Sequence, residues 1–326
     1  MINFKKENTI KKDILQLSEK ILESDRILLV GHRNPDGDTI GSMTAMIEYL
    51  NSINKKFAGF ILDPVPENLD YLKHSSLIEN DTNLLDNSYD LVICLDCADM
   101  KYTGIEDYLF KKKEKGVCIV NIDHHPGSDY GEINIVDDQS SSTSVIVYEI
   151  FKFLEININS HVATSLLAGV LVDTNNFSNS GTNNQSMLVA SKLVELGGRY
   201  GFVNRKLYQN YDENSFRLWS RVLKRLKKND RLKIAYSIVL SEDVREVGSE
   251  AVDGLANFFN HMRDSRVTMI LKEVRDGEIK VSLRANEGAV DVARLARVFG
   301  GGGHKKAAGF TIAGRLERQG FGWKII

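Results

Sequence analysis

The chain has 326 residues, of which 42% are hydrophobic and 26% are charged, and this length and composition fit a globular protein of about two domains. The formal net charge of −2 excludes the basic surface with which proteins hold long duplex nucleic acid, whereas a small anionic substrate stays compatible. The three cysteines exclude a disulfide framework. Residues 1–12 do not resemble a signal peptide, and no apolar run reaches the membrane-spanning length of about 18 residues, so we expect a cytoplasmic protein with no membrane partner.

Strand-like and helical segments alternate through the first half of the chain. Helical spacing over residues 10–22 precedes the apolar run 26–30, which is typical of a buried strand. The same patterns predict further helices over 39–50, 67–74 and 105–115 and further strands over 57–62, 89–96 and 117–123. Strands that alternate with helices form βαβ units and parallel sheets. The sequence therefore predicts an α/β fold with a doubly wound, mostly parallel sheet.

The pattern changes after residue 231. Before it, residues 141–154, 160–171 and 183–196 have helical spacing, and residues 197–231 continue it with a basic run that a solvated helix face explains. Beyond it, the sequence predicts a hairpin turn at Arg275-Asp276-Gly277, a helix over 290–299 and strands over 232–240, 266–274, 278–283 and 307–313. We therefore predict a first domain over residues 1–196, a helical connector over 197–230 and a smaller α+β domain over 231–326. For the residues after Ala313 no pattern predicts a structure.

The loop after the first predicted strand carries one imidazole and two carboxylates, on His32, Asp36 and Asp38. Open α/β sheets place their binding sites at the carboxyl ends of strands. Two ionised carboxylates so close in sequence would repel each other in a folded loop, and a bound cation would remove that cost. A set of one histidine and two carboxylates suits a borderline metal such as Mn²⁺. A simple turn is the alternative, because Asn-Pro-Asp-Gly-Asp over residues 34–38 is also good turn chemistry.

Three further clusters of acidic and histidine residues each follow an apolar run. They are Asp96 with Asp99, Asp123 with His124 and His125, and Asp173. If the runs converge on one edge of a parallel sheet, these groups meet there, and so many partly buried charges would be costly without metal ions. For Asp99 a helix cap or a surface charge is the favoured alternative. Cys94 and Cys97 lie in or just after a strand-like run, where residues three apart point to opposite faces, so we expect Cys94 to pack in the core.

Taken in order, these clusters resemble the four motifs of the DHH phosphoesterase superfamily: His32-x-x-Pro35-Asp36-x-Asp38-x-x-Gly41-Ser42, Asp96, Asp123-His124-His125 and Asp173-Thr174. Near the other end, the run from Gly300 to His304 with Ala307, Ala308 and Gly309 resembles the glycine-rich motif of the DHH-associated C-terminal domain. The resemblance covers nearly the whole chain. In length and in its two-domain plan, the chain looks most like the group of nanoRNases and 3′-phosphoadenosine 5′-phosphate phosphatases.

The resemblance implies a site for two metal ions per chain, usually Mn²⁺, with Mg²⁺ or Co²⁺ as substitutes. The metal ligands it implies are His32 and Asp36 for one ion, Asp38, His124 and Asp173 for the other, and Asp96 as a bridge between them. Asp123 would orient its neighbours, and His125 would face the scissile phosphate or its leaving group. Asp96, Asp123 and His125 are thus the expected catalytic residues.

The resemblance also implies that the second domain binds the substrate phosphate, with the site in the cleft between the two domains. The expected residues, besides His125, are Arg284, Gly301, Gly302, Gly303 and His304. The donor fork of an arginine suits a phosphate, and glycines let backbone N–H groups approach one closely. The alternatives are a flexible glycine loop and an ion pair of Arg284 with Asp291 or Glu287. Three histidines match no motif, and for them we expect surface or packing roles: His74, His161 and His261.

We therefore expect two-metal water attack on phosphoesters, which converts short oligoribonucleotides to mononucleotides or 3′-phosphoadenosine 5′-phosphate to AMP. The alternative is a cyclic-dinucleotide phosphodiesterase of the c-di-AMP type. A RecJ-like single-strand exonuclease is disfavoured because the chain lacks a basic channel, and a non-catalytic nucleotide sensor because every expected ligand position is filled. Where many nanoRNase-type members have an arginine, Phe177 is followed here by Ser178-Asn179-Ser180, which leaves base and length preference open. The oligomeric state is also open, with a homodimer as one option.

Overall fold

The computed structural model describes residues 4–179, 181–208, 212–245, 264–274, 277–286, 290–320 and 322–326, together with Val252, Leu255, Phe258, Phe259 and Met262. The chain divides into two compact units, Met1–Asn210 and Tyr211–Ile326. No helix among the described residues is both long enough and apolar enough to cross a bilayer.

The first unit is built on a six-stranded parallel sheet. Its strands are β1 (Arg26–Gly31), β2 (Lys56–Phe60), β3 (Ile78–Glu79), β4 (Leu91–Leu95), β5 (Cys118–Asp123) and β6 (Ile133–Val136). They lie in the order β3-β2-β1-β4-β5-β6, and each neighbouring pair is parallel. This order is that of a doubly wound sheet, which confirms the predicted fold class. The sequence patterns missed only the two short edge strands of this sheet, β3 and β6.

Helices cover both faces of the sheet. They are α1 (Phe4–Glu23), α2 (Gly37–Ser52), α3 (Glu106–Glu114), α4 (Thr143–Phe153), α5 (Ser160–Asp173), α6 (Asn184–Glu195) and α7 (Tyr200–Tyr208). Ile27 and Leu29 of β1 are buried in the core that α2, α4 and α5 share, whereas the alternate residues Leu28 and Val30 are buried with Leu109 of α3. Both faces of β1 are therefore buried, which explains its unbroken apolar sequence. The helix expected over residues 67–74 is only a 3₁₀ turn over Glu67–Leu69, because so short a segment does not nucleate an α-helix.

Glycines bring the backbones of α2 and α5 close together. A Cβ atom on Gly41 would lie 2.4 Å from the carbonyl oxygen of Ser165, and one on Gly37 would lie 2.5 Å from Cγ2 of Val172. Asp173, the last residue of α5, thereby reaches the carboxyl edge of the sheet. The apolar run before Asp173 is thus helical and is not a strand of the sheet, so convergence of parallel strands explains the other clusters but not this one.

The second unit is a smaller α+β domain, as predicted. Its elements are α8 (Glu213–Lys224), β7 (Lys227–Asn229), β8 (Ile234–Val239), α9 (Ser241–Val244), β9 (Val267–Val274), β10 (Glu278–Ala285), α10 (Val292–Val298), β11 (Gly302–His304) and β12 (Ala307–Ala313). The strands form a mixed sheet in the order β11-β12-β10-β9-β8-β7. Val292 and Ala296 of α10 pack on one face against Val281 and Leu283, and α8 packs on the other.

Two further expectations for the second unit concern the residues after Ala313 and the predicted hairpin turn. The residues after Ala313, for which no structure was predicted, form a separate hairpin of β13 (Leu316–Gln319) and β14 (Gly322–Ile325). Arg275 and Asp276 of the predicted turn lie outside the described residues, as does His261.

The segment expected to be a helical connector is divided between the two units. In the first unit, Val203 of α7 is buried in the core, and the hydroxyl of Tyr208 donates to the carbonyl oxygen of Leu171 at 2.6 Å. In the second unit, Leu218 and Val222 of α8 are fully buried in the core beside Val239. The boundary between the units therefore lies inside residues 197–230. The functions expected of the two domains stay predictions.

Candidate metal centre

The loop after β1 is both a tight turn and the start of a helix. The carboxylate of Asp36 caps α2, since it accepts from the backbone N–H of Asp38 at 2.8 Å and of Thr39 at 3.3 Å. Nδ1 of His32 lies 2.7 Å from the carbonyl oxygen of Arg33, and its Nε2 lies 3.5 Å from Oδ2 of Asp96. The turn chemistry of this sequence therefore places His32 and Asp36 beside the end of β4.

Asp38 is fully buried and its carboxylate lies against the N-terminus of α4. Its Oδ2 accepts from the backbone N–H of Thr143 at 2.6 Å, and its Oδ1 accepts from that of Ser144 at 2.8 Å. The first N–H groups of a helix have no partner within the helix and favour a negative charge. The start of α4 thus fixes the position of this carboxylate.

Asp96 follows β4 directly and occupies the middle of the cluster. Its backbone N–H continues the sheet by donating to the carbonyl oxygen of Ile122 at 3.0 Å, while its φ of 62° lies in the left-handed region. That conformation costs a residue with a side chain about 1–3 kcal/mol. Its Oδ2 lies toward His32, and its Oδ1 lies 3.6 Å from Nε2 of His124. Asp96 therefore lies between two imidazoles that come from different loops.

The end of β5 supplies Asp123, His124 and His125. Asp123 is fully buried, and its Oδ1 accepts from the backbone N–H of His125 at 2.9 Å and lies 2.7 Å from Nδ1 of the same residue. Its Oδ2 is buried and has no hydrogen-bond partner among the described residues. Nε2 of His124 lies 3.2 Å from Oδ2 of Asp173. The last residue of α5 thus meets the loop after β5.

These side chains form three overlapping groups, and within each group one nitrogen or oxygen atom per residue lies within 4.8 Å of the others. The groups are His32 with Asp36 and Asp96; Asp38 with His124 and Asp173; and Asp96 with Asp123, His124 and His125. They lie beside β1 and β4, where the strand order of the sheet reverses. Doubly wound sheets bind ligands at this point.

The electrostatics of the cluster are dominated by carboxylates that burial brings together. Burial, followed by the charges of Asp96 and Asp36, raises the pKa of Asp38 well above its ordinary value, and burial and nearby carboxylates do the same to the pKa of Asp173. Burial alone would raise the pKa of Asp96, but the imidazoles around it, His32 first, hold that pKa down at about 2. Burial also lowers the pKa of His32, but its hydrogen bond to Asp96 and the charge of that carboxylate outweigh burial and raise it to about 9.

The residues present fit a site for divalent cations. Carboxylate oxygens and imidazole nitrogens are the donor set that Mn²⁺ and similar ions take, and a bound cation would reverse the repulsion that raises the carboxylate pKa values. The buried oxygen of Asp123 that lacks a hydrogen-bond partner in the described part of the chain lies in the same cluster. A buried polar atom without a partner is costly, and an ion or its bound water would supply one.

Apart from His125, the residues expected to bind substrate lie in the second unit, where β10, β12 and β11 adjoin. Ala307 of β12 pairs with Arg284 on one side and with His304 on the other. The guanidinium of Arg284 donates to the carbonyl oxygen of Leu283 at 3.2 Å. A Cβ atom on Gly301 would lie 2.1 Å from the carbonyl oxygen of Gly309, so only glycine fits there. The register therefore places the arginine and the glycine-rich segment on the two sides of β12, while of His304 only the backbone is described.

Several residues outside the cluster have the capping, packing or surface roles that were the alternatives to a role at the site. Asp99 caps the 3₁₀ helix Met100–Thr103 and accepts from the backbone N–H of Lys101 at 3.0 Å, which confirms the helix-cap interpretation. Cys94 and Cys97 are both fully buried. Nε2 of His74 contacts the carboxylate of Glu48, and the side chain of His161 is exposed.

Sequence reasoning missed two threonines that contact the centre. Oγ1 of Thr39 donates to Oδ2 of Asp96 at 2.8 Å, and Oγ1 of Thr143 donates to Oδ1 at 3.3 Å. Thr39 follows Asp38 directly, which was the only available signal. Nothing in the sequence around Thr143 points to Asp96.

Family models match both units of the chain. The model of the DHH family, N-terminal domain, matches residues 26–170, and the model of the DHHA1 domain matches residues 232–320. The chain therefore contains a DHH domain followed by a DHHA1 domain. It is therefore a phosphoesterase, a hydrolase that cleaves phosphoester bonds.

Relatives of this family member have names that describe nucleotide hydrolysis. The bifunctional oligoribonuclease and PAP phosphatase NrnA of Thermus thermophilus is 27% identical, over 88% of this chain and 84% of that protein. The NrnA of Bacillus subtilis, described in the same words, is 26% identical over 88% of this chain and 90% of that protein. The cyclic-di-AMP phosphodiesterase PdeA of Listeria monocytogenes is also 26% identical over 88% of this chain, but the match spans only 45% of PdeA.

A solved structure is similar to most of this chain. It is that of an exopolyphosphatase-related protein from Bacteroides fragilis, with a TM-score of 0.86 and 26% sequence identity. The match covers 92% of this chain and 90% of the other.

Proposed function

We propose that this DHH phosphoesterase hydrolyses short oligoribonucleotides to mononucleotides, or 3′-phosphoadenosine 5′-phosphate to AMP, with two Mn²⁺ ions per chain. The observation that carries the proposal is the overlap of the three donor groups. Asp96 belongs to the group of His32 and Asp36 and also to a group with His124, and His124 in turn belongs to the group of Asp38 and Asp173. Two ions that share a carboxylate lie close enough to act on one phosphoryl group. The names of the two NrnA relatives support the choice of substrates.

We assign the metal ligands from these groups. His32 and Asp36 would hold one ion, Asp38, His124 and Asp173 would hold the other, and Asp96 would contact both. The bound ions would supply an activated water and neutralise charge on the phosphoryl oxygens, and Mg²⁺ or Co²⁺ could substitute for Mn²⁺. The N-terminus of α4 holds Asp38, and the cap of α2 holds Asp36, so both carboxylates are positioned before an ion binds.

The remaining residues of the cluster orient the substrate. Asp123 holds Nδ1 of His125 at 2.7 Å, which fixes the ring plane, and we assign Nε2 of the same ring to the scissile phosphate or its leaving oxygen. In the second unit, we assign phosphate binding to Arg284, to the backbone of Gly301–Gly303 and to His304. Arg284 and His304 pair with the same residue, Ala307, from opposite sides, and this supports a shared role.

The alternative function is hydrolysis of cyclic dinucleotides. The relative PdeA is named for that activity, but it is more than twice as long as the region it shares with this chain. Linear substrates are favoured because both NrnA relatives align over most of their own length.

An activity screen separates these functions. The purified protein is incubated with Mn²⁺ and, in parallel, with excess EDTA, on a 5′-phosphorylated dinucleotide, on 3′-phosphoadenosine 5′-phosphate and on cyclic di-AMP. We expect hydrolysis of one or both linear substrates with Mn²⁺ and its loss on chelation. Opening of the cyclic substrate alone would support the alternative, and hydrolysis that persists in EDTA would contradict the metal assignment.

A further inference from the structure

The carboxylate of Asp96 is held by hydroxyl groups from two different helices. We propose that Thr39 and Thr143 are positioning residues, which present one oxygen of Asp96 to each of the two metal-ligand groups. The inference rests on the proposed metal centre. It adds an explanation of how one aspartate can serve two ions without rotating toward either.

Thr39 defines the position of one oxygen. It lies in the first turn of α2, is fully buried, and its hydroxyl donates to Oδ2 of Asp96 at 2.8 Å. The same Oδ2 lies 3.5 Å from Nε2 of His32. Because a carboxylate can only accept, the threonine must donate. Oδ2 therefore faces the group of His32 and Asp36 while it is held by Thr39.

Thr143 defines the position of the other oxygen. It is the first residue of α4, is fully buried, and its hydroxyl donates to Oδ1 of Asp96 at 3.3 Å. Oδ1 lies 3.6 Å from Nε2 of His124. The backbone N–H of the same threonine holds Asp38 at 2.6 Å. Thr143 therefore contacts both the shared carboxylate and a carboxylate of the second group.

The two hydroxyls restrict the last side-chain torsion of Asp96, which the backbone conformation does not fix. The left-handed φ of Asp96 fixes where its side chain starts, but the last torsion of an aspartate side chain has broad, two-fold preferences. One donor on each oxygen fixes the carboxylate plane. Each oxygen has about two lone-pair positions, so each can accept its threonine and still bind an ion.

The distances predict that the hydrogen bonds of the two threonines differ in strength. They also predict that each threonine affects the binding of a different ion. The contact of Thr39 is at the ordinary length of a hydroxyl–oxygen hydrogen bond, whereas that of Thr143 is longer and therefore weaker. Loss of the Thr39 hydroxyl should mainly lower the affinity for the ion held by His32 and Asp36. Loss of the Thr143 hydroxyl should lower the affinity for the other ion, and by a smaller factor.

The test is calorimetric titration of the metal-free protein with Mn²⁺, compared between Thr39→Val, Thr143→Val and wild type. Valine keeps the shape of threonine and removes only the hydroxyl. The variants His32→Ala and Asp173→Asn show which binding step belongs to which group. We expect Thr39→Val to weaken the step that His32→Ala removes by about 10- to 100-fold, as for other residues that orient metal ligands. Thr143→Val should weaken the step that Asp173→Asn removes, and by less.

Matched variants control for general damage to the fold. Thr44→Val removes a buried hydroxyl of the same helix, which donates to the carbonyl oxygen of Ile40 at 2.8 Å, and it should leave both binding steps unchanged. Thr39→Ser and Thr39→Ala both lose the γ-methyl group and differ only in the hydroxyl. This pair tests the inference even if Thr39→Val does not fold, because serine should retain the wild-type affinity and alanine should not.

Three results would overturn the inference: equal Mn²⁺ affinity of Thr39→Ser and Thr39→Ala, equal weakening of both steps by Thr39→Val, or no Mn²⁺ binding by the wild-type protein. The proposed function fails in a different way. A wild-type protein that binds two Mn²⁺ ions but hydrolyses neither linear substrate would contradict the function and leave the role of the threonines standing.

Discussion

Asp96 belongs to two of the three donor groups and accepts two threonine hydroxyls. Substitution by asparagine keeps the shape but removes the charge and one acceptor oxygen. We expect Asp96→Asn to lower kcat by at least ~100-fold, as for the loss of other key electrostatic groups, and to lower the bound Mn²⁺. The measurement is kcat together with metal content of the folded protein. Wild-type turnover and metal content in that variant would contradict the assignment of Asp96 to both ions.

Arg284 is assigned to the substrate and not to the ions. A hydrogen bond to a charged group is worth about 1.5–3 kcal/mol, so Arg284→Ala should raise KM by roughly 10- to 100-fold and leave the bound metal unchanged. Lys280→Ala is the matched control, because it removes an exposed cation from the same strand and should leave KM unchanged. If KM responds equally to both variants, or to neither, Arg284 has no specific role in binding the phosphate.

At the scale of elements, the close contact of α2 and α5 carries Asp173 to the centre. The absent Cβ of Gly41 would lie 2.4 Å from the carbonyl oxygen of Ser165, so Gly41→Ala forces the two helices apart. We expect the free energy of unfolding to fall by about 1–3 kcal/mol, as for other overpacked sites. The measurement is urea denaturation.

A second glycine provides the control for Gly41→Ala. Within the described part of the chain, a Cβ atom on Gly201 in α7 would meet only Nη1 of Arg205, at 3.9 Å. Because alanine favours helix over glycine by up to about 1 kcal/mol, Gly201→Ala should leave stability unchanged or raise it. If Gly41→Ala is as stable as Gly201→Ala, the contact between α2 and α5 does not depend on the glycine.

The elements that the sequence predicted well are those with a strong local pattern. β1 and β4 are buried on both faces, so their apolar runs are unbroken and their polar residues mark the ends of the strands. The edge strands β3 and β6 are too short for such a pattern. Asp173 was expected at the centre, but it arrives there through the packing of one helix on another, and spacing along the chain does not record such packing.

The centre itself was predictable for its charged residues and unpredictable for its hydroxyls. Aspartate and histidine at four successive ends of apolar runs are rare enough to indicate a metal site. A threonine in a sequence does not by itself indicate a metal site. Thr39 and Thr143 are 57 and 47 residues away from Asp96 in the sequence. Only the folded chain brings them to that carboxylate.

At the scale of the whole molecule, we expect charge to limit the length of the substrate. Proteins hold a long strand through positively charged grooves and stacked aromatic side chains, and a net charge of −2 does not favour binding of that kind. The proposed centre would hold one pair of ions, and such a pair acts on one phosphoester at a time. Affinity for a strand should therefore not grow beyond the first few nucleotides.

The most direct test of the proposed function is a length series of 5′-labelled RNA, hydrolysed under single-turnover conditions with Mn²⁺, with Asp96→Asn as the inactive control. We expect the wild-type protein to convert di- to pentanucleotides to mononucleotides much faster than it degrades a 24-mer or duplex DNA. Processive degradation of the 24-mer at the rate of the dinucleotide would contradict this account and support a single-strand exonuclease.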